Sequence, residues 1–158
     1  KQDMLNGEGL RVVLWLSHCE HFCEGCQNPS TWSEHGGIVF DKTAKEELFN
    51  ELSKDYTKGI TFSGGDPLST LNRNEVMELI KEIKLRFPTK DIWVYTGYLK
   101  SEVDMLDGFE NIDVLVDGPF IEAQKNLNLV FRGSENQRLI RIPETLKTGN
   151  IVLWEKEM

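Results

Sequence analysis

Cysteine is missing from all of this chain except residues 19–26, where three occur together. Three clustered thiols cannot build a disulfide framework, and their close spacing in a chain without export features favours metal or redox chemistry in a reducing cytoplasm. No apolar run reaches the length of a membrane-spanning helix, and the N-terminal residues carry no secretory hydrophobic stretch, so neither a membrane nor export is expected. The first residue is Lys rather than Met, which leaves room for further residues ahead of it. Positive charge is also scarce: 18 Lys and Arg stand against 26 Asp and Glu, for a net charge of −8. With no basic stripe, the chain lacks the electrostatic footprint of a nucleic-acid binder. Internal repeats, low-complexity tracts and linkers are absent too, and residues 1–158 read as one domain.

What is there alternates between strand-like and helix-like segments. Residues 11–17 form a continuous apolar run of the buried-strand kind, leading straight into the cysteines. Thr43 and Glu46 make a capping-box pattern ahead of a helix over residues 44–54. A β-branched and aromatic run at 59–63 ends at Gly64-Gly65-Asp66-Pro67. The clearest helix follows, with Asn72 or Asn74 as its cap. Val76, Leu79, Ile80, Ile83 and Phe87 share one of its faces, and Pro88 stops it. Further strands are predicted at 91–95 and 112–116, with a helix at 99–106 between them. Beyond Gly118 only short strands are predicted, at 127–131, 139–142 and 151–154, with little helix among them. Trp15, Trp93 and Trp154 lie in apolar strands and read as core.

This order implies a mostly parallel sheet with crossover helices, in which ligands sit at the carboxyl ends of the strands. Four polar or glycine-rich segments fall at those ends: the cysteine loop, Gly64-Gly65-Asp66, Thr96-Gly97-Tyr98 and Asp117-Gly118. About six strands are too few for a closed eight-stranded barrel, so the fold class is α/β with a partial, open βα barrel. The loop Cys19-x3-Cys23-x2-Cys26 offers three thiolates where a closed structural site has four ligands. Soft thiolates suit iron–sulfur clusters, Cu(I) or zinc. On spacing alone, zinc held with His18 or His21 stays open beside a cluster with one free iron.

The cysteine loop after a first strand, with Gly64-Gly65-Asp66 after a second, resembles the radical S-adenosylmethionine superfamily. Asn6-Gly7-Glu8-Gly9, Cys26-Gln27-Asn28-Pro29-Ser30-Thr31-Trp32, Ser63-Gly64-Gly65-Asp66-Pro67-Leu68, Tyr95-Thr96-Gly97-Tyr98, Val114-Leu115-Val116-Asp117-Gly118 and Arg132-Gly133-Ser134 with Asn136-Gln137 narrow the resemblance. In order along the chain, these blocks are similar to the anaerobic ribonucleoside-triphosphate reductase activating proteins. An aromatic residue commonly precedes the third cysteine in the wider superfamily; Gly25 stands there instead, which favours the narrower family.

That resemblance implies a [4Fe-4S] cluster on Cys19, Cys23 and Cys26, its fourth iron chelated by S-adenosylmethionine. Reductive cleavage of the sulfonium then yields methionine and a 5′-deoxyadenosyl radical, which takes a hydrogen from one glycine of the reductase's large subunit. The cofactor pair does the difficult chemistry and the protein orients it. Gly64 and Gly65 let backbone approach the methionyl part closely, with Asp66 beside them. Gly25 and Gln27 are implied at the adenine, and Thr96 and Tyr98 at ribose or substrate. A flavodoxin-like protein is the implied electron donor. The lack of further cysteines argues against relatives with additional clusters. Another small radical enzyme remains an alternative, either an activase for a different glycyl-radical protein or one like 7-carboxy-7-deazaguanine synthase. So does a non-catalytic zinc or iron–sulfur electron-transfer module. Asp117 reads equally as a site residue and as a satisfied turn residue, since Asp-Gly is a strong turn signal. Arg132 reads either as a structural ion-pair partner or as a support for the cofactor's carboxylate.

Overall fold

The computed structural model describes residues 2–3, 11–16, 42–64, 66–70, 72–119, 121–124, 131–132, 134 and 136–154. Its elements run β1 (Gln2–Asp3), β2 (Arg11–Leu16), α1 (Lys42–Leu52), β3 (Gly59–Gly64), α2 (Arg73–Arg86), β4 (Asp91–Tyr95), α3 (Lys100–Val103), β5 (Val114–Asp117), β6 (Arg138–Arg141) and α4 (Ile142–Thr148). Strands follow one another across the sheet in chain order. β2 to β5 are parallel, while the two-residue β1 and the terminal β6 lie antiparallel at the edges. The fold is therefore mixed α/β around an open, mostly parallel sheet.

Side chains alternate between the two faces of each strand. On one face Val12, Ile60, Phe62, Ile92, Val94, Leu115 and Ile140 join Leu48, Phe49 and Leu52 of α1 and Val76, Met77, Leu79, Ile80 and Ile83 of α2 in the main core. Each such side chain contributes about 1.5–3 kcal/mol by leaving water. The other face carries a smaller cluster of Trp93, Val114, Val116 and Leu139, against which Tyr95, Phe131 and Trp154 pack. Trp93 meets the Phe131 and Trp154 rings edge-on, at 5.4 and 5.2 Å. The core reading of Trp93 and Trp154 holds; the side chain of Trp15 lies outside the described residues.

Several boundaries differ from the sequence reading, for local reasons. α1 begins at Lys42, so Thr43 sits inside its first turn instead of capping it. Asn72 occupies the N-cap of α2 but makes no capping bond. Its side chain donates to the Asp66 carbonyl instead, at 3.0 Å. The helix expected over 99–106 is helical only across Lys100–Val103. Phe131, at the end of one expected strand, has φ 61°, a left-handed conformation foreign to strands and strained for an aromatic residue. α4 is an unexpected helix, started by Pro143 in its first turn and ended by Gly149, whose φ of 75° suits glycine best. Leu153 still bridges to Ile140 as part of the last expected strand. No helix among the described residues is long and apolar enough to cross a membrane.

Candidate functional site

Parallel pairing aligns the carboxyl ends of β2 to β5 along one edge. The last residues of β2 and β3, Leu16 and Gly64, are direct partners. The chain that leaves β2 toward the cysteines therefore departs beside the chain that leaves β3 toward Gly65 and Asp66. β4 ends at Tyr95 on the same edge, and β5 ends at Asp117, which pairs with the first residue of β6, Arg138. Cys19, Cys23, Cys26, Gly25, Gln27 and Gly65 lie outside the described residues, as do His18, His21 and Trp32.

Asp66 is 1% exposed, and its carboxylate is turned into the protein. Oδ1 accepts the Leu68 amide at 2.8 Å, the Asx turn that an aspartate before proline favours. The hydroxyl of Thr96 donates to both carboxylate oxygens, at 2.9 and 3.1 Å, and the Gly97 amide donates to Oδ2 at 3.0 Å. The same hydroxyl accepts the Tyr98 amide at 3.2 Å. Burying a carboxylate is costly unless such donors replace its water. The residues that sequence reasoning groups on the rim, Asp66, Thr96 and Tyr98, are thus brought together by direct hydrogen bonds.

The bonding continues along the edge. The Thr96 amide donates to the Val116 carbonyl and the Gly118 amide to the Tyr98 carbonyl, both at 2.9 Å. Asp117 is fully buried; Arg138 grips it through Nε at 3.0 Å and Nη2 at 2.6 Å, and the Lys100 amide completes its shell at 2.9 Å. That carboxylate holds the Arg138 guanidinium above its ordinary pKa. Asp117 is therefore a satisfied structural residue that starts α3 and fastens β6. Gln137 Nε2 reaches the Gly118 carbonyl at 3.1 Å, and Asn136 Nδ2 the Pro119 carbonyl at 2.8 Å. Arg132 spends Nη1 on the Gln137 carbonyl at 2.9 Å, a backbone partner and not a carboxylate.

Among the described residues, two buried side-chain atoms have no hydrogen-bond partner, Ser69 Oγ and Arg132 Nε. Both belong to loops of this edge, where an unmet donor or acceptor is a reason to look for a polar ligand. Sequence reading missed Ser69 and Arg73. Arg73 Nε holds the Leu68 carbonyl at 3.1 Å, and its guanidinium lies 5.3 Å from the Tyr98 ring centre. The one signal for Arg73 is a cation in the first turn of a helix, where the macrodipole favours acids.

A family model described as "4Fe-4S single cluster domain" matches residues 5–140. A protein of Enterobacteria phage T4 named anaerobic ribonucleoside-triphosphate reductase-activating protein is 45% identical over 139 residues, covering 87% of each chain. Proteins of the same name from Haemophilus influenzae and Escherichia coli strain K12 are 43% and 41% identical. Those matches cover 88% and 85% of this chain, and 92% and 90% of the relatives. The chain belongs to the anaerobic ribonucleoside-triphosphate reductase-activating protein family. No solved structure gives a significant match.

Proposed function

We propose that the chain is an activase that installs a glycyl radical on the large subunit of an anaerobic ribonucleoside-triphosphate reductase. It would use a [4Fe-4S] cluster, S-adenosylmethionine and electrons from a flavodoxin-like donor in the cytoplasm. Cys19, Cys23 and Cys26 hold three irons of the cluster. Backbone at Gly64 and Gly65 meets the methionyl end of the cofactor, Gly25 and Gln27 its adenine, and Tyr98 borders the mouth. Residues 1–158 form one radical S-adenosylmethionine domain, and the open sheet is its partial barrel. When bound, this cofactor pair supplies a 5′-deoxyadenosyl radical that abstracts a Cα hydrogen.

The observation that carries the reading is the Leu16–Gly64 pairing at the carboxyl edge. Cys19 lies three residues beyond Leu16, so covalent geometry keeps it within about 11 Å of that residue and hence near the glycine loop. Three soft thiolates match the cluster domain of the family. The buried, unmet Ser69 Oγ and Arg132 Nε supply polar atoms on the same edge for a polar cofactor. An open sheet suits a protein substrate, because a peptide loop enters a rim more easily than a closed pocket. Anaerobic reconstitution with iron and sulfide, followed by strong reductant and S-adenosylmethionine, tests the chemistry. The expected result is a brown protein releasing methionine and 5′-deoxyadenosine. A colourless zinc protein with no cleavage would sink the proposal.

A further inference from the structure

Thr96 and Asp66 stood in the sequence as cofactor contacts, yet their side chains are turned toward each other. Thr96 Oγ1 is a node: it donates to Asp66 and accepts the Tyr98 amide. Asp66, in turn, fixes the stretch between itself and the start of α2. Its carboxylate holds the Leu68 amide, and its carbonyl accepts the Ser69 amide at 3.1 Å and the Asn72 side chain at 3.0 Å. Thr96 is itself anchored to β5 through its own amide. Asp66, the residue that follows the two glycines, is thereby tied to the end of β4 and through Thr96 to β5, not only to its own strand.

We infer that Thr96 is a positioning residue: through Asp66 it presets the backbone of the glycine loop for S-adenosylmethionine. The inference rests on the activase reading, since that cofactor is the ligand whose loop is being set. Glycines impose little conformation of their own, so a loop that must present backbone groups at fixed positions needs outside bracing. A charged acceptor gives stronger hydrogen bonds than a neutral one, and a buried one is not in competition with water. Neither side chain need touch the cofactor for its loss to weaken binding.

The test compares wild type, Thr96→Val and Thr96→Ser, each reconstituted with a full cluster. Valine keeps the shape and removes the hydroxyl; serine keeps the hydroxyl. For Thr96→Val we expect unchanged iron and sulfide content, a KM for S-adenosylmethionine raised about tenfold or more, and a smaller change in kcat. Thr96→Ser should stay within about threefold of wild type. A Thr96→Val KM within twofold of wild type would overturn the inference, and so would equal impairment of the two variants. Should Thr96→Val fail to fold, hydrogen exchange on the wild type decides. Added S-adenosylmethionine should slow the amides of Leu68 and Gly97 together, and slowing at Leu68 alone would overturn the inference. A wild-type protein with a full cluster that neither binds nor cleaves S-adenosylmethionine would overturn the activase reading, and this inference with it.

Discussion

At the amino edge of the sheet, aspartates meet cations; at the carboxyl edge, Asp66 meets a hydroxyl and two backbone amides. Arg11, with its side chain fully buried, pairs with Asp91 at 2.5 Å. It also donates to the Thr61 hydroxyl at 2.8 Å and the Ile60 carbonyl at 3.0 Å, and lies 5.3 Å from the Trp93 ring centre. Arg11, Gly59 and Asp91 share one row across β2, β3 and β4. Gly59 is required there, because a Cβ would collide with the Asp91 carbonyl and carboxylate oxygens. Lys84 and Asp113 repeat the arrangement at 2.6 Å, with Asp113 also accepting the Ile92 amide. Asp91 and Asp113 keep 26% and 27% of their side chains exposed, whereas Asp66 and Asp117 are essentially buried. Burial pushes the Asp91 carboxyl above its ordinary pKa, with Arg11 pulling it back. The amino edge locks strand to strand. At the carboxyl edge Asp66 holds loops, while Asp117 joins β5 to β6 through Arg138 and anchors the start of α3.

That contrast separates stability from activity, and mutations should respect it. The largest effect is expected at the cysteine loop. Cys23→Ala should abolish cluster assembly and S-adenosylmethionine cleavage while circular dichroism stays near wild type, because the core rests on the sheet and its helices. A mutant that keeps a full cluster and full activity would refute the ligand assignment. At the opposite edge, Arg11→Met should cost about 3–5 kcal/mol in urea unfolding, since it leaves a partly buried carboxylate without its cation. The folded fraction should still assemble a full cluster and keep its KM for S-adenosylmethionine. A raised KM there would erase the contrast between edges.

Next comes Asp117→Asn, expected to cost about 1–3 kcal/mol by weakening the grip of Arg138 and the Lys100 amide. By loosening the start of α3 and the hold on β6 at the carboxyl edge, it should also raise the KM for S-adenosylmethionine modestly, and an unchanged KM would blur the contrast between edges. Smallest is Lys81→Met. Its partner Asp107 is exposed and held below its ordinary pKa by the Lys81 ammonium. A depressed carboxylate stabilises the fold above its unfolded value of 3.8 and loses that contribution as pH falls through the folded one. Because exposed pairs contribute little, the variant should be only slightly less stable than wild type at neutral pH. That small difference should vanish on the acid limb of a melting-temperature profile, as Asp107 is protonated in both.

The parts of the fold written in local pattern are legible in the sequence. β2, β3 and β4 announce themselves as apolar runs, and α2 by Val76, Leu79, Ile80 and Ile83 at helical spacing before Pro88. α4 is not, since seven residues give too few turns for periodicity, although Pro143 and Gly149 punctuate its ends. Nor is the antiparallel direction of β6, which depends on long-range pairing with β5. At the site, residue type and loop position bring out Asp66, Thr96 and Tyr98. Which way their polar atoms turn is decided by burial, and no spacing rule shows that Thr96 faces Asp66. Ser69 and Arg73 escape notice because a serine in a turn and an arginine in a helix are ordinary until their partners are counted.

The account's central claim is glycyl-radical activation, and electron paramagnetic resonance tests it most directly. Reconstituted, reduced protein mixed anaerobically with S-adenosylmethionine and the reductase large subunit should give the doublet of a glycyl radical. Full cluster loading and active cofactor cleavage with no doublet would contradict the claim.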